Sequence, residues 1–161
     1  MEQLEKDTGG KVKPLTVGGA FGGLILHQNQ PPFDNPLVRR AVYLALEREV
    51  VMETAWDGLG NVGTFFNYGY AETTEGLKNE PGWRFPKDQD IAEAKRLLAE
   101  AGYADGFKGK MNSGNNSTST AQASVITEQL RAIGLDFTLD ATDTATLARA
   151  CIISILCQII F

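Results

Sequence analysis

Apolar residues recur every three or four positions in the stretch that follows Pro32, and this spacing predicts a helix with one face toward a core. The apolar positions are Val38, Ala41, Val42, Ala45 and Leu46. Asp34 or Asn35 can cap this helix, and Pro36 suits its first turn because an N–H there has no helical partner. A second helical stretch is predicted to continue from about Arg48 to Trp56 and to stop at Gly58.

A similar pattern predicts another helix that begins near Asp90 and ends at Gly102. Its apolar face is formed by Ile91, Ala94, Leu98 and Ala101. Asp90 stands three residues before Glu93, a carboxylate version of the capping box, and Gly102 suits a left-handed C-terminal cap. Tyr103 follows the glycine, where a hydrophobic contact is expected, so we interpret it as a packing residue.

The next segment changes from a strand pattern to a helix pattern and back. Residues 107–111 are predicted to form a short strand, and residues 113–120 a polar loop with a helix cap. A helix follows with Ala123, Ile126, Leu130 and Ile133 on its apolar face, and it stops at Gly134. After it, Leu135, Phe137 and Leu139 alternate with polar residues, the two-residue period of a half-buried strand. Strand, helix and strand predict a parallel pair joined by a right-handed crossover, so the fold class is α/β.

Two further segments lack a helical period. Residues 16–28 are apolar and glycine-rich and lead into an extended run at Leu24, Ile25 and Leu26. Flexible backbone at Gly22 and Gly23 suits a crossing or hinge, and a loop that enters an ordinary strand is the alternative. Residues 61–86 form a long irregular segment rich in aromatic residues. Loops of this length are functional or disordered, and the aromatic content argues against disorder.

Within the aromatic segment, Tyr68, Tyr70 and Trp83 are the candidates for contact with a ligand. Rings offer a large contact area at low entropic cost, and their polar edges can orient a polar solute. The alternative is that these three rings pack the loop onto its own domain.

The net charge and the small number of cysteine and histidine residues argue against several classes of protein. The net charge is −5 and basic residues are interspersed with acidic ones, so we expect no nucleic-acid partner. No secretory signal is visible at the start, and the apolar run at residues 151–161 is shorter than the roughly 17–25 residues of a membrane-spanning helix. Two cysteines and one histidine offer no metal cluster, and we expect no cofactor.

The same scarcity argues against an enzyme. A nucleophile needs a base, and the single histidine, His27, is better explained as a strand residue. The glycines at residues 18–23 lack the spacing and the lysine of a phosphate-binding loop. The enzymatic alternative is a small hydrolase that uses carboxylates such as Asp88 or Glu75.

Two motifs resemble those of the bacterial extracellular solute-binding proteins of family 5. Residues 32–41 (PFDNPLVRRA) are similar to the family pattern P-F-D-D-x-x-V-R-x-A, and residues 45–49 (ALERE) to the A-[IL]-D-R-E that follows it. Asp90 with residues 94–107 (AKRLLAEAGYADGF) resembles D-x-x-x-A-K-x-L-L-A-E-A-G-Y-x-D-G-F. The likeness extends from about residue 5 to residue 140.

The resemblance implies the ligand-capturing component of an ABC importer, located in the periplasm or otherwise outside the cytoplasm. Its ligand would be a peptide or another small polar solute, and permease subunits would be the partners of the full-length parent. Residues 1–28 would be the end of the N-terminal lobe and the crossing strand, and residues 29–143 part of the C-terminal lobe, in a two-lobed periplasmic-binding-protein type II fold. The lobes would close on the ligand by hinge bending, without catalysis.

The departures from the family pattern also carry expectations. Glu47 stands where the family usually has an aspartate that caps the next helix, and Gly109 interrupts a position that is normally β-branched, so the strand there is expected to be weak. Residues 144–161 diverge and are interpreted as a truncated or frameshifted tail. An inactive, truncated gene product is therefore an alternative for the isolated chain.

Overall fold

The computed structural model describes residues 23–58, 62, 74–143, 145–147 and the backbone of residues 157–160. Strand β1 (Leu24–His27) is followed by helices α1 (Pro36–Ala45), α2 (Arg48–Trp56), α3 (Thr74–Leu77) and α4 (Asp88–Glu100). Strand β2 (Phe107–Gly114), helix α5 (Ser117–Arg131), strand β3 (Leu135–Thr142) and strand β4 (Cys157–Ile160) complete the order. The mixture confirms the predicted α/β class.

The strands form two pairs of opposite type. Strands β2 and β3 are parallel, with a register that runs from Phe107 opposite Leu135 to Gly114 opposite Thr142. Helix α5 connects them, which confirms the predicted βαβ unit. Strands β1 and β4 are antiparallel, with Leu24 opposite Ile160. The extended run predicted at residues 24–26 is therefore a strand. Gly23, one of the two proposed hinge glycines, is exposed just before it, and Gly22 lies outside the described residues.

Helix α2 has the predicted bounds, Arg48–Trp56, but it is a separate element, and the predicted continuation of α1 into it is wrong. The Asn35 side chain caps α1 by accepting a hydrogen bond from the Leu37 N–H at 2.9 Å. The chain becomes extended at Leu46, and Glu47 precedes α2 without a side-chain cap. The Gln129 amide of α5 instead accepts from the Glu47 N–H at 3.0 Å and donates to the Glu47 carbonyl at 3.1 Å. This two-way contact fixes the junction, so no capping aspartate is needed at position 47.

Helix α4 ends as predicted but begins differently. The Gly102 N–H donates to the Ala99 carbonyl and the Tyr103 N–H to the Leu98 carbonyl, with a φ of 88° at Gly102, which is a Schellman motif. The helix starts at Asp88, so Asp90 lies inside its first turn and caps nothing. The predicted capping box is wrong because the Asp90 side chain is buried and has other partners, described below.

The core lies between the helices and one face of the β2–β3 pair. All five apolar positions predicted for α1 and all four predicted for α5 are buried. Four aromatic rings pack at its edge: Phe33, Tyr103, Phe107 and Phe137, with neighbouring ring centroids 5.3–6.4 Å apart. Tyr103 contacts Phe107, which agrees with its interpretation as a packing residue.

Strand β2 is longer than predicted, because the supposed loop at residues 113 and 114 still pairs with β3. Gly109 does not shorten it. An added Cβ at Gly109 would lie 2.7 Å from Cε1 of Phe137, so the missing side chain makes room for the buried Phe137 ring on the neighbouring strand. The glycine is thus a packing feature and not a weakness of the strand.

Replacing Gly109 by valine, the β-branched residue that strand propensity favours, is expected to destabilise the protein by about 2 kcal/mol. The new side chain must displace the Phe137 ring, and overpacking of a core typically costs about 1–3 kcal/mol. Chemical denaturation of both proteins measures the change. Lys110→Val, on an exposed position of the same strand, serves as the control and should change stability by no more than about 0.5 kcal/mol. A gain in stability for Gly109→Val would contradict the packing explanation.

Candidate functional site

Trp83 borders an open cavity of about 410 Å³, here called the Trp83 cavity. Its lining includes Arg40, Tyr43, Leu77, Glu80, Pro81 and Trp83. Helix α1 supplies the first two residues, α3 supplies Leu77, and the turns that lead from α3 toward α4 supply the rest. The volume lies within the roughly 300–1,000 Å³ typical of small-molecule sites, and the lining combines two rings with charges of both signs.

Tyr43, Arg48 and Trp83 form a stack at one wall of this cavity. The Arg48 guanidinium lies 4.5 Å from the Tyr43 ring centroid and 4.6 Å from the Trp83 ring. The Trp83 Nε1–H donates to the Tyr43 hydroxyl at 2.8 Å. The cation between two rings and the hydrogen bond between those rings fix the Trp83 side chain, so it presents a defined surface to the cavity.

Arg48→Lys is expected to lower the free energy of unfolding by about 1–2 kcal/mol. An ammonium group lacks the flat guanidinium that stacks on both rings. Thermal or urea unfolding measures the loss, and Arg131→Lys on the exposed surface of α5 is the matched control with little expected effect. Equal stability of the Arg48→Lys variant and the original protein would show that the stack contributes nothing beyond charge.

Gly82 connects this stack to a buried carboxylate. Its N–H donates to Asp90 Oδ2 at 2.8 Å, and its carbonyl accepts from Arg48 Nη1 at 2.6 Å and from Lys87 Nζ at 2.7 Å. Asp90 is only 1% exposed and also faces Lys87 at 3.4 Å and Arg84 at 3.5 Å. The first turn of α4 therefore determines where the backbone next to Trp83 lies.

Burial dominates the electrostatics of the basic groups in this network. It lowers the pKa of the Arg48 guanidinium to about 10, although nearby Tyr43 and Asp90 act in the opposite direction. Burial also lowers the pKa of Lys87, opposed by Asp90 and reinforced by Arg48. Asp90 thus stabilises cations that the surrounding protein would otherwise disfavour.

Of the three residues predicted to contact a ligand, the structure describes only Trp83. Trp83 lines the cavity, whereas Tyr68 and Tyr70 lie outside the described residues. Asp88 and Glu75, the carboxylates of the hydrolase alternative, are exposed, and Glu75 pairs with Lys78 at 2.5 Å. Arg40 and Glu80 were missed, because no spacing in the sequence connects a residue of α1 with one of a later turn. Arg48 belongs to the ALERE motif (residues 45–49), which indicated the family resemblance but no contact with a ligand.

No group of residues suited to hold a metal ion occurs in the described ranges, and none of the helices there is long and apolar enough to cross a membrane. The Trp83 cavity is lined by two aromatic rings, by the apolar side chain of Leu77 and by two exposed side chains of opposite charge, Arg40 and Glu80. Such a surface is suited to binding a small polar molecule.

Solved structures with a similar fold are ligand-binding proteins. The chain superposes on AgaA from A. tumefaciens R10, a protein determined in complex with agropinic acid, with a TM-score of 0.64 and 29% identity, over 80% of this chain and 26% of AgaA. It superposes on Haemophilus influenzae OppA, determined with the peptide RPPGFSPFR, with a TM-score of 0.58 and 26% identity, over 81% of this chain and 26% of OppA. The fold is therefore that of part of a two-lobed periplasmic binding protein.

The sequence profile of the bacterial extracellular solute-binding proteins, family 5 (middle region), matches residues 1–151, and the chain belongs to this family. The glutathione-binding protein GsiB of Salmonella choleraesuis (strain SC-B67) is 32% identical over 122 residues, which are 73% of this chain. GsiB of Escherichia coli (strain K12) is 30% identical over the same length. The chain spans about 22% of the length of these curated relatives.

Proposed function

We propose that this chain is part of the substrate-binding component of an ABC importer that captures peptides or similarly polar solutes outside the cytoplasmic membrane. The observation that carries the proposal is the family match over residues 1–151. Relatives and structural neighbours named for the binding of glutathione, peptides and agropinic acid support a polar solute of this size. The permease subunits of the importer are the proposed partners.

In this proposal the protein works by enclosing its solute. Tyr68, Tyr70 and Trp83 contact the solute, and Gly22 and Gly23 belong to the hinge. A closed form that touches the ligand from both lobes is favoured by the ligand over an open form. The stack of Tyr43, Arg48 and Trp83 supports this role, since a ring held in one orientation loses little freedom when a ligand binds.

The proposed role is binding without catalysis. His27, the single histidine of the sequence, is half-buried in β1. The cavity residues are suited to hold a ligand and not to activate a nucleophile.

Disrupting the reading frame in the cells that carry it is expected to reduce uptake of labelled dipeptides, tripeptides or glutathione. The physical reason is that an importer without its binding component receives solute only at the low ambient concentration. Uptake of a labelled sugar through an unrelated transporter is the control. In parallel, the purified chain is incubated with the same peptides, and mass spectrometry follows their integrity.

Unchanged uptake of every solute tested, together with peptide cleavage by the purified chain, would reject the proposal in favour of the hydrolase alternative. In that case Asp88→Asn and Glu75→Gln are the variants to examine for loss of cleavage. Intact peptides together with reduced uptake support binding without catalysis.

A further inference from the structure

We propose that the exposed face of the β2–β3 sheet is the contact surface of a weak homodimer, in which it packs against the same face of a second copy of the chain. This surface, here called the Lys–Asp face, consists of Lys108, Lys110 and Asn112 of β2 and Asp136, Thr138 and Asp140 of β3. Dimerisation through it does not depend on the proposed uptake of a solute, because the Lys–Asp face lies on the opposite side of the sheet from the core.

The β2–β3 sheet is covered on one face only. Met111, Leu135 and Phe137 are buried in the core, where α5 packs against both strands. All residues of the Lys–Asp face are exposed. Purely parallel sheets are usually covered on both faces, and in the described part of the chain each of these strands has a single neighbouring strand. The sheet therefore offers an accessible surface to a partner.

The charges on the Lys–Asp face are separated by strand. Strand β2 supplies the two lysines and β3 the two aspartates, and Lys108 lies opposite Asp136 in the register. Among the described residues, neither lysine nor Asp140 takes part in an ion pair, and Asp136 has one contact, at 3.5 Å from Arg131. The face thus presents a positive strip beside a negative strip, and both strips can accept an oppositely charged partner.

This separation of charge selects one arrangement of the second copy. A two-fold axis parallel to the strands, midway between two stacked sheets, places β2 of each copy over β3 of the other. Lys108 then faces the partner's Asp136, and this contact occurs twice. A two-fold axis perpendicular to the strands would instead stack β2 on β2 and bring lysines near lysines. Helix α5 lies on the far side of each sheet and does not obstruct the contact.

The dimensions of the face set the expected affinity. Strands of 8 residues are roughly 26 Å long at about 3.3 Å per residue, and two strands are about 10 Å wide. A patch of this size is well below the roughly 800 Å² per partner that a stable interface buries. Because the contact is also polar, we expect a Kd on the order of 1 mM that rises as salt screens the charges.

Sedimentation velocity of the full 161-residue chain measures the dimer directly. Samples from about 0.02 to 2 mM bracket the expected Kd. In low salt, the average mass should rise toward that of a dimer at the upper end of this range. In about 1 M salt, where the Debye length is about 3 Å, the chain should stay close to the monomer mass.

Charge reversal identifies the surface. Lys108→Glu and Asp136→Lys should each raise the dimer Kd at least about tenfold, since one exposed charge pair is worth about threefold and the contact occurs twice. The double variant restores opposite charges, so its Kd should return to within about twofold of the original value. Lys95→Glu, on the exposed surface of α4, is the matched control and should preserve the dimer. Recovery in the double variant also excludes misfolding as the cause of the single losses.

Three results would overturn the homodimer: a chain that stays monomeric at about 2 mM in low salt, a dimer that neither salt nor the single reversals weaken, or single losses that the double variant does not restore. The second result would place the contact on another surface. Solute uptake by cells is a separate measurement, so a monomeric chain leaves the importer proposal standing.

Discussion

Replacing Asp90 by alanine is expected to lower the free energy of unfolding by about 3–5 kcal/mol, the effect of removing one partner of a buried ion pair. The carboxylate is almost completely buried and accepts from the Gly82 N–H at 2.8 Å. Without it, that N–H loses its partner, and the Lys87 ammonium keeps only the Gly82 and Leu44 carbonyls at a site where burial already disfavours its charge. Urea denaturation at neutral pH measures the loss.

Glu93→Ala is the matched control for this change. Glu93 lies on the same helix and also pairs with an arginine, at 2.8 Å from Arg96, but both side chains are exposed. Exposed pairs contribute about 0–1 kcal/mol, so the two alanine variants should differ by a factor of at least three. Similar losses for both would mean that the Asp90 network is no stronger than a surface ion pair.

Gly82→Ala is expected to destabilise the protein by about 3 kcal/mol for two separate reasons. The residue has a φ of 94°, which L-residues with a side chain rarely adopt. An added Cβ would also fall within 2.2 Å of Cε1 of Tyr43. Relief of that contact requires displacement of the Tyr43 ring or of the turn that carries Trp83, so a change in Trp83 fluorescence should accompany the loss of stability.

Gly102→Ala separates the two reasons. Gly102 has a similar φ of 88°, and nothing lies within 4 Å of a Cβ added there. Its replacement should therefore show the backbone penalty alone, about 1–2 kcal/mol. The difference between the two alanine variants gives the contribution of the contact with Tyr43. If the variants are equally destabilised, the tight approach of Gly82 to the ring has no energetic consequence.

The effects of Asp90→Ala and Gly82→Ala should not add. Both act on the backbone of one turn, and residues that share a network commonly couple by about 0.5–3 kcal/mol. The double variant is expected to lose less stability than the sum of the two single changes. This coupling would show that the buried carboxylate and the aromatic wall of the Trp83 cavity form one structural unit.

Prediction from sequence succeeded where local chemistry decides the structure. The caps at Asn35 and Gly102, the apolar faces of α1 and α5 and the alternation along β3 depend on neighbouring residues only, and all are present. It failed where a distant residue supplies the partner. The Asp90 capping box was wrong because Gly82 and Lys87 compete for the carboxylate, and Gly109 was misjudged because Phe137 fills its space.

The sequence by itself determined the α/β class, the βαβ unit and the resemblance to solute-binding proteins. The reason is that periodicity and contiguous motifs involve residues that are close together in the sequence. It also pointed to Trp83 as a candidate. Only the tertiary structure brought Arg40 of α1 to the same cavity as Glu80 and stacked Arg48 between Tyr43 and Trp83. The physical reason is that a binding surface requires groups from separate elements, and their distances are set by the packing of α1 against α4 and by the Asp90–Gly82 contact.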